Sequence, residues 1–284
     1  MSHPSPFRGV GALVTGASSG IGVEIARLLA AAGARLLLTA RRVDRLAATA
    51  AECRALGSPS AEPWADDLAD PAAPARLAQA AAERLQGVDL LVNNAGFSVP
   101  GLFDRASLER VLSMTQVNVA APVALTRLLL PGMLERRRGW ILNVSSMAGI
   151  LPAPYQSGYA GTKAFLLNWS ESLREEVRSR GVVVTALCPG VTDTEFFEAA
   201  GYRNVTKFLK HRMAAEPVAR AGLAALERGR ARVVPGALNK TLVFAGTRLA
   251  PRSVVQWVSR KLMAQRPPPE RDRPRPPKEE APHA

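Results

Sequence analysis

VGALVTGASSGIGVEIARLLAAAGARLLLTARR, residues 10–42, is the stretch on which the fold turns. Val10–Thr15 reads as a short β-strand, Gly20–Ala32 has helical spacing, and Arg35–Ala40 reads as a second strand. Thr15-Gly16-Ala17-Ser18-Ser19-Gly20-Ile21-Gly22 joins the first strand to the helix. Glycines suit a backbone that must turn tightly and come close to a pyrophosphate, with amides at a helix N-terminus facing the anion. The spacing Gly-x3-Gly-x-Gly differs from the commoner G-x-G-x-x-G, and such a turn alone is weak evidence. Its place between a strand and a helix strengthens it.

The end of the second strand bears on which nucleotide would sit there. In sheets that bind NAD, an acid about 20 residues beyond the loop accepts the ribose 2′-OH. Here Thr39-Ala40-Arg41-Arg42 offers none. A guanidinium at this point, Arg41 first and Arg42 beside it, would pair with a 2′-phosphate, so NADP(H) is the expected cofactor. The competing reading is that both arginines are merely solvated, because the chain has 31 arginines and six lysines. Asp67, after a third strand candidate, would either accept from the adenine amino group or cap a helix.

Working outward, strand-like runs keep alternating with helical segments up to about residue 190. Ser60–Trp64, Val88–Asn93, Gly139–Ser145 and Val182–Leu187 are the further strands. Asp44–Leu56, Pro71–Leu85, Leu108–Leu130 and Gly158–Ser179 are the further helices. This alternation predicts an α/β fold: a doubly wound parallel sheet of Rossmann type, with function at the carboxyl ends of its strands. Beyond it, Pro217–Arg228 reads as a helix and Ala231–Val234 as a short strand. One domain over 1–235 is therefore expected. An amphipathic extension over 236–265, broken at Pro251, follows it, and a tail over 266–284 with seven prolines reads as disordered.

Composition narrows the classes. Two widely spaced cysteines, Cys53 and Cys188, exclude a disulfide scaffold or thiolate zinc site and fit a reducing compartment. Three scattered histidines argue against a metal centre. The opening residues lack a signal-peptide pattern, and no stretch reaches the ~20 uninterrupted apolar residues of a membrane helix. A cytoplasmic protein is expected. The net charge of +13 is concentrated between Arg203 and Lys261, where 13 Lys and Arg face only Glu216 and Glu227. No base-reading or stacking module accompanies it, so nucleic acid is not an expected partner. Solvated helix faces or a basic surface resting on anionic lipid remain.

Tyr159 and Lys163 lie four apart in a helical segment and share a face. A tyrosine is a poor base at neutral pH unless a cation favours its ionised form. Lys163 is the first lysine in a chain that otherwise prefers arginine, which suggests a need for a compact point charge. Tyr155, four residues earlier, has no lysine partner. Ser145-Ser146 ends the preceding strand, Asn93-Asn94-Ala95-Gly96 closes another, and Asn118 stands mid-helix, where asparagine is mildly unfavourable.

Together these residues resemble the short-chain dehydrogenase/reductases, over about Gly9 to Ala199 and in the family's order. Thr15–Gly22 is similar to the TGxxxGIG loop, Asn93–Gly96 to NNAG, and Tyr159/Lys163 to YxxxK with Ser146 thirteen residues ahead. Asn118 resembles the asparagine that completes the tetrad. Arg41 falls where NADP-preferring members carry a basic residue. The resemblance implies Asn118, Ser146, Tyr159 and Lys163 as catalytic residues acting on a small carbonyl/alcohol pair. Tyr159 would be the acid/base, Ser146 would hold the oxygen, Lys163 would lower the tyrosine pKa and bind ribose, and Asn118 would hold a water. It implies cofactor contacts from Gly16, Ser18, Ser19, Gly20, Ile21, Gly22, Asn94, Ala95 and Gly96. Pro189, Gly190, Thr192 and Thr194 would lie near the nicotinamide. A lid is expected at about 193–213, where Phe196, Phe197, Tyr202, Phe208 and Leu209 suggest a lipophilic substrate or ordinary packing. A homo-oligomer, dimer or tetramer, is expected through the helices of Asn118 and Tyr159. The extension would suit a membrane surface or a partner helix. Two rivals are an NADPH-binding pseudoenzyme acting as a sensor, and a membrane-surface module acting through residues 238–261.

Overall fold

The computed structural model describes residues 5–196 and 212–263. Seven parallel strands form one sheet: β1 (Gly11–Thr15), β2 (Arg35–Ala40), β3 (Ala61–Ala65), β4 (Leu90–Asn93), β5 (Gly139–Val144), β6 (Val182–Leu187) and β9 (Arg232–Val233). Their order is β3-β2-β1-β4-β5-β6-β9. Two short strands, β7 (Thr192–Asp193) and β8 (Met213–Ala214), pair with each other outside it. Helices α1 (Gly20–Ala31), α2 (Val43–Ala55) and α3 (Ala73–Arg84) cross over between the first strands.

Both faces of the sheet are buried, and the strand periodicity shows why. Ala12, Val14, Leu36, Leu38, Leu90, Val92, Leu142 and Val144 enter one core cluster. Leu13, Leu37, Leu91 and Ile141, their neighbours in sequence, enter the other. Alternation between two apolar layers requires strands that are apolar throughout, as these are. The strand order reverses between β1 and β4, so the chain leaves the sheet in opposite directions there and opens a crevice at their carboxyl ends. This is the doubly wound Rossmann arrangement the sequence predicts. Arg35–Ala40 and Val182–Leu187 match their predicted bounds.

The expected single helix over 108–130 is three pieces. α4 (Leu108–Thr115) runs into a π-helical turn at Gln116–Ala120, and α5 (Ala121–Glu135) continues the rod. This 28-residue rod is long and apolar enough to cross a membrane by length and composition, although polar residues such as Gln116, Asn118 and Arg127 interrupt it. It is nevertheless a packed core helix, with Met114, Val117, Leu125, Leu129 and Met133 buried against the sheet and its neighbours. α6 (Ser157–Val177) lies beside it, and α7 (Ala215–Glu227) covers the other face. The extension forms α8 (Ala237–Phe244), a π-helical turn at Ala245–Leu249, and α9 (Arg252–Met263), which starts just past Pro251 as expected. The tail, 266–284, and the lid residues Phe197, Tyr202, Phe208 and Leu209 lie outside the described residues.

Candidate active site

The glycine loop is shaped by close packing. Gly16 has φ +67°, and a Cβ there would fall 2.7 Å from Asn94 Nδ2. A Cβ on Gly22 would lie 2.3 Å from the Gly16 carbonyl oxygen. Gly20, at φ +58°, has the Thr194 methyl where its Cβ would be, 2.7 Å away. Asn94 holds the loop by donating to Thr15 O at 2.9 Å and Gly16 O at 3.1 Å. Thr15 Oγ1 in turn accepts from the Asn94 and Ala95 amides, both at 3.0 Å. Two strand ends are thereby tied together across the crevice. A cleft of about 330 Å³ opens beside Ser18, Ser19, Gly20, Arg45, Thr194 and Glu195.

The two arginines after β2 differ in their surroundings. Arg41 is exposed, with Asp67 3.9 Å away, and does not reach the loop. Arg42 does, donating to Ser18 Oγ and to Ser18 O at 3.2 Å. Arg42 and Arg45 both pair with Glu195, Arg42 at 2.7 Å. The Arg45 and Arg42 guanidiniums hold the Glu195 carboxyl below its usual range. Asp67 Oδ1 accepts from the Ala69 amide at 3.0 Å, within the turn ahead of α3 and not at that helix's N-terminus. Arg45 and Glu195 were not found from sequence. They are 150 residues apart, and only the crossover brings them together.

On the other side of the crevice, Ser146, Tyr159, Lys163 and Asn118 converge. Ser146 follows β5 and accepts from the Ala148 amide at 3.1 Å, which opens a 3₁₀ turn over Met147–Gly149. That turn lies flat on α6, where a Cβ on Gly149 would meet the Lys163 carbonyl at 2.6 Å. Ser145 ties the same two elements by donating to Lys163 O at 2.7 Å. Tyr159 is buried, and burial pushes its phenol up to about 12, while a hydrogen bond with Ser146 pulls the other way. Tyr155 is excluded from this group. It occupies a turn at φ +64° and accepts from the Gly101 amide through its carbonyl.

Lys163 is buried in α6 and donates to Val144 O at 2.7 Å. Burial pushes its ammonium down to about 8, partly offset by Cys188. Its Nζ lies 5.8 Å from the Tyr159 ring centroid. Burial and the hydrogen bond with Ser146 are the causes of the Tyr159 shift. Asn118, fully buried, sits in the π-helical turn. It accepts from the Phe97 amide at 3.1 Å and donates to Phe97 O at 3.0 Å and Thr162 Oγ1 at 3.0 Å. Thr162 donates to the Tyr159 carbonyl at 2.7 Å, a link that sequence reading missed. π-Helical turns often mark functional positions because they redirect one side chain.

Near the ends of β6 and β7, the Pro189 carbonyl accepts from the Met147 amide at 2.9 Å, which joins this segment to the Ser146 loop. A Cβ on Gly190 would fall 2.6 Å from Asn239, and Thr192 Oγ1 donates to Gly190 O at 3.2 Å. Ile21 is half-buried against the core at the start of α1, and Gly96 leaves room for Asn118 and Lys163. The glycine cradles, the paired arginines and the buried Tyr–Lys pair across one crevice fit a nicotinamide dinucleotide. Among the described residues no group of three metal-ligating side chains forms.

Comparison with known proteins agrees with this geometry. Residues 11–203 match the family model described as short chain dehydrogenase. The chain is 38% identical to the ketoacyl reductase HetN of Nostoc sp. over 63% of its own length, spanning 62% of that relative. Its fold superposes on a short-chain dehydrogenase from Sphingobium yanoikuyae in complex with NADPH, with TM-score 0.75 and 31% identity, covering 84% of this chain and 92% of that one. It also superposes on a short-chain dehydrogenase/reductase from Burkholderia phymatum in complex with NAD, with TM-score 0.77 and 27% identity, covering 84% and 93%.

Proposed function

The chain belongs to the short-chain dehydrogenase family, and from that premise we propose that it is an NADP(H)-dependent oxidoreductase interconverting a lipophilic carbonyl and its alcohol. The observation that carries this reading is the group of buried Tyr159 and Lys163 with half-buried Ser146, facing the glycine loop across one crevice. When bound, the nicotinamide supplies or accepts the hydride. Tyr159 gives a proton to the carbonyl oxygen in reduction and takes one from the alcohol in oxidation. Ser146, already hydrogen-bonded with Tyr159, is placed to donate to the same oxygen and hold it against the phenol. Asn118 fixes the Phe97 backbone and, through Thr162, the turn of α6 that carries Tyr159. Gly16, Ser18, Ser19, Gly20, Ile21, Gly22 and the Asn94–Gly96 turn would line the dinucleotide. Pro189, Gly190, Thr192 and Thr194 would border the nicotinamide.

An acyl or similar apolar ketone is supported by the likeness to a ketoacyl reductase. Phe196 supports it too, its ring 5.5 Å from that of Tyr159. Exposed Leu112 on α4, Leu128 on α5 and Phe165 on α6 would suit a homo-oligomer built through these helices, which light scattering would read. Two buried free thiols, Cys53 and Cys188, suit a reducing cytoplasmic setting, which cell fractionation would check.

The 2′-phosphate is assigned to Arg42 and Arg45, with Arg41 and its neighbour Asp67 at the rim. Arg42→Ala and Arg45→Ala are each expected to weaken NADPH binding by roughly tenfold, the worth of one charge-assisted hydrogen bond. Tryptophan fluorescence quenching reads this directly, and NADH binding should scarcely change. Equal weakening of both cofactors would remove the phosphate assignment and leave the reaction class standing.

The pH profile carries a sign. Tyr159, at about 12, stays protonated through the ordinary range, so it does not limit reduction. Lys163, at about 8, is a cation below that pH and loses its charge above it. The kcat/KM for reduction should therefore fall as pH rises through about 8, while oxidation, which needs the ionised phenol, should climb only toward about pH 12. A reduction profile that stays level well above that point would show that the Lys163 charge is not required.

A further inference from the structure

The C-terminal extension presents its apolar residues outward. Leu238 and Leu242, four apart on α8, are about half exposed, and Leu249 in the following turn is 69% exposed. On α9, Val255 alone is buried. Val254, Val258 and Leu262 fall four apart beside it, and Trp257, 54% exposed, continues the same arc. Single apolar residues on a surface need no explanation, but a helix–turn–helix with this many does. The charge is as one-sided. Lys240, Arg248, Arg252, Arg260 and Lys261 stand in the extension, and no Asp or Glu occurs from Arg228 to Met263. Lys261 folds over Trp257, its ammonium 4.6 Å from the ring centroid.

We propose that α8 and α9 form a docking surface for an anionic lipid bilayer, with Leu238, Leu242, Leu249, Trp257 and Leu262 entering the interface and the flanking cations meeting the headgroups. An amphipathic helix with Trp and Leu on one side and Lys and Arg around them binds in this way, by apolar burial plus attraction to anionic lipid. A protein partner would be met by mixed charges, whereas a surface of one sign over 36 residues matches a surface of the opposite sign. The extension is also tied to the catalytic side of the molecule. A Cβ on Gly246 would fall 2.9 Å from Leu151, and Gln156 Nε2 lies 3.5 Å from Met263 Sδ. Leu151 and Gln156 belong to the segment that separates Ser146 from Tyr159. A docked extension would thus hold that segment at the lipid surface. This placement does not depend on the cofactor or on the reaction.

Flotation of the full chain with vesicles tests it. The chain should float with vesicles of equimolar phosphatidylcholine and phosphatidylserine, float poorly with phosphatidylcholine alone, and lose binding as salt is raised. Trp257→Ser with Leu242→Ser should lower the bound fraction at least tenfold. Arg252→Glu and Lys261→Glu should each lower it roughly fivefold or more. All four side chains are exposed, so an unchanged thermal melt serves as the folding control, and the wild-type salt and lipid series needs no variant. Failure of the wild-type chain to float with anionic vesicles overturns the proposal. So does equal binding to both vesicle types, or a variant that turns a dimer into a monomer while vesicle binding persists, which would make this face a contact between copies.

Discussion

Tyr159→Phe is expected to lower kcat for carbonyl reduction by about a thousand-fold, within the range of a lost general acid, while the melting temperature and cofactor affinity stay nearly unchanged. The substitution removes one oxygen and keeps the ring, so its packing against Phe196, at 5.5 Å between centroids, is retained. What disappears is the proton donor and the hydrogen bond with Ser146. Because the phenol is buried, bulk water is poorly placed to replace it. Steady-state kinetics together with NADPH quenching separate the two effects. A fall in kcat with binding intact assigns the proton to Tyr159. A variant that keeps more than about a tenth of the activity would move the acid elsewhere and leave Tyr159 as packing.

Gly22→Ala should be nearly as damaging by a different route. The new methyl would sit 2.3 Å from the Gly16 carbonyl oxygen and 2.5 Å from Asn94 Nδ2, both held by the bonds that close the loop. Neither neighbour is the free end of a flexible chain, so the glycine loop must shift as a whole. Overpacking of this kind costs roughly 1–3 kcal/mol, and the displaced loop should lose cofactor affinity by tenfold or more. Thermal denaturation with and without NADPH reads both quantities. The variant should melt lower and gain little from added cofactor. Wild-type stabilisation by NADPH in the variant would mean that the close approach of Gly22 to Gly16 does not shape the site.

Much of this was legible in the sequence because the strands are buried on both faces. Leu36, Leu37 and Leu38 must all be apolar, so the run declares itself without any partner. The candidate catalytic group was equally visible, since Tyr159, Lys163 and Ser146 are neighbours along one strand–turn–helix. The arginine assignment was less so. Successive side chains at a strand end point in different directions, and only the turn into α2 decides that Arg42, not Arg41, bends over Ser18. Glu195 meets Arg45 across 150 residues, which no local pattern encodes. For the extension, sequence left a membrane surface and a partner helix both open, and the outward exposure of Val254, Trp257 and Leu262 on α9 is visible only in the structure. Propensity could not announce the turn at Gln116–Ala120 either, since Asn118 is only mildly unfavourable in a helix and nothing local marks an extra residue.

That turn has a consequence for inheritance. An α-helix advances each residue by about 100°, so the extra residue at Gln116–Ala120 acts as a phase shift between two halves of one rod. Upstream, α4 keeps its own phase, and downstream α5 keeps another. Deleting a single residue there would restore a regular rod and turn Asn118 away from Phe97 and Thr162 without altering a functional side chain. The position of Asn118 is therefore set by arithmetic along the chain, and lineages of this protein should tolerate changes of residue type in the turn far more readily than changes of its length.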